Sequence, residues 1–144
     1  MCVYTHLIME MKEYCHCYAI RQVSTKITQI YDEALLESGL KITQYAILRY
    51  ISFLKNTNLM KLSISMGYNR STLGRNIRIL ERKELIYLDK GKDKRELNIR
   101  ITKYGLKILN VATKCWIKIN TEITKKLGVN KKKMIEEILY DKNL

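Results

Sequence analysis

At 144 residues, 47% of them apolar and 28% charged, the chain has the size and balance of a single globular domain, and no apolar run approaches the roughly 18 residues of a membrane span. Its net charge of +13, from 27 basic and 14 acidic side chains, favours a polyanionic partner over a neutral one. No basic stretch followed by an apolar core and a small-residue cleavage site opens the sequence, so the expected address is cytoplasmic and Cys2, Cys15, Cys17 and Cys115 are expected as thiols.

The chain has no proline, so long helices can run without interruption. Residues 12–37 are predicted as the first. Stepping about 100° per residue from Ile20 places Val23, Ile27, Ile30, Tyr31 and Ala34 within about 80° of it, with Arg21, Lys26 and Glu33 towards the opposite side. Gly39 is placed to close that helix in a left-handed cap. Thr43 is the candidate N-cap of a second helix through Ala46, Ile47, Tyr50 and Ile51, and Asn56-Thr57-Asn58 reads as a polar break. A short helix over 59–66, a turn at Gly67 and a helix over 70–83 follow. Residues 85–90 and 95–101 are β-rich, with Gly91-Lys92-Asp93-Lys94 as a hairpin tip. Thr102 opens a long helix over about 103–126, striped by Leu109, Ala112, Trp116, Ile119 and Ile123. Gly128 is predicted to stop it before a last helix over 131–140 that carries Met134, Ile135, Ile138 and Leu139.

Charge is concentrated in the middle of this series. Residues 61–103 hold 12 Lys/Arg against 5 Asp/Glu, a net +7, which is over half of the total in under a third of the length. On the helix over 70–83, Ile77 and Leu80 lie within about 40° of Leu73, while Ser71, Arg75, Arg78 and Arg82 fall at about 140–200° from it. Three guanidiniums and a hydroxyl on one outward face suit the major groove of DNA, where Arg donates two bonds to guanine O6 and N7. Asn69 is the expected N-cap, Thr72 sits at N3, and the free N–H groups of the first turn suit a phosphate. The candidate contacts on this helix are Asn69, Arg70, Ser71, Thr72, Arg75, Asn76, Arg78 and Arg82. A merely solvated arginine face is the competing explanation. The preceding segment weighs against it, because Leu62 and Met66 are core positions one turn apart, Ser63 is small where two helices would cross, and Gly67 permits a sharp turn. Ile79, near 240° in the same count, is left between a thymine-methyl contact and packing under a neighbour.

The hairpin tip adds Lys90, Lys92, Asp93, Lys94 and Arg95. Four basic side chains on a thin protrusion can follow a phosphate backbone or enter a narrow minor groove. Asp93 lies two residues from Arg95, so on a regular strand it can orient that guanidinium. A charged solubilising hairpin is the alternative.

These residues resemble the MarR family of bacterial and archaeal regulators, collinearly over about 39–123. Gly39-Leu40-Lys41-Ile42-Thr43-Gln44 is similar to the entry to that family's second helix. Ser71-Thr72-Leu73-Gly74-Arg75-Asn76-Ile77 is similar to its recognition helix, leading to Leu80-Glu81 and Leu85-Ile86. Asp93-Lys94-Arg95 followed by Ile101-Thr102-Lys103-Tyr104-Gly105 resembles its wing signature. One departure is Glu84, where the family usually carries glycine; a left-handed helix end there costs about 1 kcal/mol with a side chain present.

The resemblance implies a mainly α fold, an α+β winged helix, as one domain over 1–144. A winged helix-turn-helix module over about 40–102 would sit between N-terminal (about 1–38) and C-terminal (about 103–144) helices that form a dimerisation region. It implies a sequence-specific double-stranded DNA-binding transcription regulator, a repressor by family habit, binding a pseudo-palindromic operator as a homodimer. The long stripes on 12–37 and 103–126 agree, since one small winged module could not cover them. Release by a small-molecule effector or by thiol oxidation is in the family's repertoire. Tyr14-Cys15-His16-Cys17-Tyr18 resembles a subgroup with cysteines at this place, which makes Cys15 and Cys17 the candidate redox sensors. Cys17 is expected half-buried and Cys15 more exposed. Two residues apart on one helix they diverge by about 200°, so they do not readily bridge each other or share a metal. An intersubunit bridge or one to Cys2 stays open, as does the bland alternative of thiols without a sensing role. No cofactor, metal or membrane partner is expected. Nor is an enzyme, for no nucleophile–base set or phosphate-cradling glycine loop is present. The runner-up is a non-specific basic architectural DNA-binding protein, driven by charge alone.

Overall fold

The computed structural model describes residues 15–90 and 97–141. By packing, the chain falls into two units, residues 1–30 and 31–144. Helix α1 (His16–Ala34) runs through the boundary. Within the first unit it is a regular amphipathic helix with no buried residue, and Ile20 and Val23 on the predicted stripe are 59% and 61% exposed. The stripe is where the periodicity puts it, and its residues are exposed among the described residues.

The second unit begins with the last turn of α1, from Tyr31. A 3-10 turn (Leu36–Ser38) follows and ends at Gly39, whose φ of 66° is the predicted left-handed cap. Ser38 stitches this corner: its Oγ donates to the Leu35 carbonyl (2.7 Å) and accepts from the Leu40 N–H (3.3 Å). Helix α2 (Ile42–Leu54) then starts two residues earlier than an N-cap at Thr43 predicts. Its N-cap is Lys41, which has no side-chain acceptor. The capping oxygen comes instead from α1, where Asp32 Oδ1 accepts from the Ile42 N–H at 2.7 Å and Oδ2 pairs with Lys41 Nζ at 3.3 Å.

Helices α3 (Leu59–Met66) and α4 (Arg70–Arg82) start at Asn58 and Asn69, whose side chains accept from Lys61 N (2.8 Å) and Thr72 N (2.7 Å). Between them Gly67, at φ 65°, makes the sharp turn for which a β-carbon would be costly. Ser63 acts here as a donor, Oγ to the Tyr68 carbonyl at 2.7 Å, fastening the turn. Strands β1 (Ile86–Lys90) and β2 (Leu97–Ile101) pair antiparallel, with Ile86 opposite Ile101 and Leu88 opposite Ile99. The residue predicted as part of a polar break, Thr57, is buried. It bridges to this hairpin, and its carbonyl accepts from Ile99 N at 2.7 Å.

Helix α5 (Lys103–Tyr140) is capped by Thr102, whose Oγ1 accepts from Gly105 N (2.8 Å) and donates to the Glu84 carbonyl (2.8 Å). Its backbone breaks at Gly128 (φ 70°, ψ 173°), the predicted stop. Leu109, Ala112 and Ile123 are buried, Trp116 and Ile119 half-buried, and residues 131–140 wholly exposed. Helix α2 is the hub: it packs on α3, α4, β2 and α5, and Ile47, Leu48, Ile51, Leu62, Leu73, Leu80, Ile86 and Ile99 close a dry core among them. Tyr31 Oη donates to Asn120 Oδ1 at 2.7 Å, joining the end of α1 to α5, and burial pushes the Tyr31 phenol up from its ordinary value.

Candidate nucleic-acid interface

Helix α4 is positioned by its apolar side. Leu73 and Leu80 are fully buried and Ile77 nearly so, each contributing about 1.5–3 kcal/mol relative to exposure. With that stripe fixed inward, helical geometry has one outcome for the remaining residues. Ser71, Arg75, Arg78 and Arg82 are exposed on the opposite face, as predicted. An open groove runs along this side, lined by Leu59 of α3 and by Arg70, Ser71, Gly74, Arg75, Arg78, Glu81 and Arg82 of α4. No ion pair among the described residues involves any of its four arginines. Their donors are therefore available to an outside acceptor.

Three other predicted positions do different work. Asn69 is spent as the N-cap. Thr72 is exposed at the first turn, with its N–H held by that cap. Asn76 is half-buried and does not line the arginine groove; its Nδ2 donates to the Thr72 carbonyl at 2.9 Å. Glu81, by contrast, was not singled out from sequence and does line the groove. Its signal was present: with Gly74 and Arg78 it follows spacings of seven and three residues along one face. Ile79 is half-buried.

At the hairpin, Lys90 closes β1. Lys92, Asp93, Lys94 and Arg95 lie outside the described residues. The base of the hairpin carries an ion pair of its own, Arg100 Nε to Asp89 Oδ2 at 3.2 Å, diagonal across the β1–β2 register. The exit from α4 is tied down twice. Lys83 Nζ donates to the Gly39 carbonyl at 2.6 Å, and Glu84 turns the chain with φ 58°. The left-handed position that the family fills with glycine is thus kept here with a side chain on it.

Cys15 and Cys17, at the start of α1, are both exposed. For Cys17 this corrects the half-buried expectation, as no residue of α1 is buried among the described residues. Cys115 is half-buried, with its thiol 3.8 Å from Glu37 Oε2. Trp116, predicted as core, forms one wall of a cavity of about 560 Å³ with Ile42, Tyr45, Ala46, Arg49, Tyr50 and Phe53. Its ring stacks on Tyr45 (centroids 6.0 Å apart) and lies 4.9 Å beneath the Arg49 guanidinium.

A short helix, a tight turn, a second helix offering unpaired guanidiniums, and an antiparallel hairpin behind it together define a winged helix-turn-helix protein. The MarR family model matches residues 40–97. The M. tuberculosis transcriptional regulator MosR, in complex with DNA, is similar at 31% identity, over 86% of this chain and 92% of that one, with a TM-score of 0.76. An S. aureus MepR–DNA complex (22% identity, 88% and 94% of the two chains, TM-score 0.75) shares the fold. So does an E. coli MarR mutant complexed with operator DNA (18%, 96% and 96%, TM-score 0.76). No curated protein matches the sequence. The chain belongs to the MarR family. No helix among the described residues is long and apolar enough to cross a membrane.

Proposed function

We propose that this protein is a cytoplasmic transcription regulator that binds a pseudo-palindromic operator in duplex DNA as a homodimer and represses the genes behind it. One observation carries the proposal: four arginines that form no ion pair among the described residues line the outer side of a helix whose inner side is locked into the core. A guanidinium in that setting is matched to base edges and phosphates, and the sequence adds further positive charge at Lys90, Lys92, Lys94 and Arg95. The solved relatives that carry DNA in their crystals support duplex DNA as the partner. The homodimer is supported by apolar side chains that are exposed among the described residues, Ile20 and Val23 on α1 and Met134, Ile135, Ile138 and Leu139 on residues 131–140. A two-fold axis would place the two α4 helices about 34 Å apart, one turn of duplex. The cavity beside Trp116 is suited to an apolar effector, and the exposed thiols of Cys15 and Cys17 suit a redox input.

Selection of binding sites from random duplexes, followed by titration of the best site against scrambled DNA, tests the proposal. Sequence-specific binding is expected, and Arg75→Ala should lose about 1–3 kcal/mol on the selected site with far less loss on scrambled DNA. Equal affinity of the parent for both duplexes would favour the architectural alternative.

A further inference from the structure

The regulator proposed above needs a particular kind of half-site, and the side chains along α4 specify its chemistry. Reading adenine in the major groove takes a carboxamide, which offers a donor to N7 and an acceptor to N6 at once. Helix α4 has one such group, Asn76, and it is turned away from the groove with its amide nitrogen donating to the Thr72 carbonyl. The cap residue Asn69 has its carbonyl oxygen on the Thr72 N–H. What faces the groove is of another kind: guanidiniums that can only donate, one carboxylate at Glu81 that can only accept, and the Ser71 hydroxyl. Guanine presents two acceptors, O6 and N7, and cytosine presents one donor, N4.

We propose that each half-site of the operator presents neighbouring guanines to α4, read through O6 and N7 by Arg75 and Arg78, with Glu81 accepting from a cytosine N4. The spacing fits. Arg75 and Arg78 are three residues apart, about 4.5 Å along the helix axis, close to the roughly 3.4 Å between successive base pairs. Both are exposed and neither is held by a carboxylate among the described residues, so no internal bond has to be broken before a base is engaged. Gly74, on the same side, has no atom within 4 Å of where a β-carbon would be, so the helix backbone can approach the base edges closely there.

The test uses the full chain and the duplex it selects from random sequence. Each guanine of that duplex is replaced singly by 7-deazaguanine, which lacks the N7 acceptor. The expected result is two adjacent guanines per half-site at which the replacement weakens binding about tenfold. Arg75→Ala should lose that penalty at one of them and Arg78→Ala at the other, each variant keeping the penalty at the guanine read by its neighbour. Selected half-sites with no guanine in common, or binding indifferent to 7-deazaguanine, would overturn the guanine assignment while leaving a sequence-specific regulator standing. Absence of any preferred duplex would remove that regulator and this inference together.

Discussion

Two backbone positions set the shape of the exit from α4 into the hairpin, and each makes a prediction. Glu84 adopts φ 58°, a conformation in which a β-carbon crowds the following carbonyl. Glu84→Gly should stabilise the fold by about 1 kcal/mol, read as a higher denaturation midpoint with unchanged slope. Gly105 is the opposite case. A β-carbon there would run into the Leu85 carbonyl and lie 2.9 Å from Ile101 Cγ1. Gly105→Ala should therefore destabilise by at least about 2 kcal/mol, because backbone rather than a pliable side chain has to give way. The glycine of the wing signature is thus explained by a close approach of α5 to the chain leaving α4.

At the scale of elements, the two ends of the recognition segment depend on a residue from each neighbouring piece. Asp32, near the end of α1, supplies the cap that the first turn of α2 lacks, and Lys83, just past α4, holds the carbonyl of Gly39 between them. Asp32→Ala should cost about 1–2 kcal/mol, the scale of a lost N-cap, with the larger share falling on α2, checked by hydrogen exchange at the amides of 42–45. The same residue shows where sequence falls short. Thr43 has the side chain of a good cap, yet the oxygen on the Ile42 N–H belongs to Asp32 ten residues upstream, and no local pattern announces it. Thr57 was missed for the same reason, since its bridge to Ile99 is a pairing across 42 positions by a single residue with no periodicity to reveal it. The arginine face of α4 was legible because it is local: Leu73, Ile77 and Leu80 fix the inward side, and 100° per residue fixes the rest. Glu81 borders that face, at about 80° from Leu73, whereas Asn76 at about 300° borders the buried stripe and is half-buried there.

For the molecule as a whole, the unsettled surface is apolar rather than charged. Ile135 and Ile138 are 45% and 46% exposed on a stretch in which no residue is buried, and Ile20 and Val23 are more exposed still. If a second copy covers these residues, Ile138→Asp should shift the sedimentation profile towards monomer and weaken binding to a two-half-site duplex much more than to a single half-site, since the linked half-sites lose their gain in effective concentration. The order of helices and the stripes on them were readable, but whether anything lies against a stripe is set by tertiary and quaternary neighbours that one chain's periodicity does not encode. That is why the burial expected for Cys17 failed while the angles held.

No residue of α1 is buried among the described residues, and most of a helix's stability comes from packing an apolar face rather than from propensity. If a second copy supplies that packing, the persistence of α1 is tied to mass action. The melting temperature should climb as the protein is made more concentrated, by the logarithmic law of a bimolecular equilibrium, and a cell that holds few copies would hold a partly melted reader of its operator.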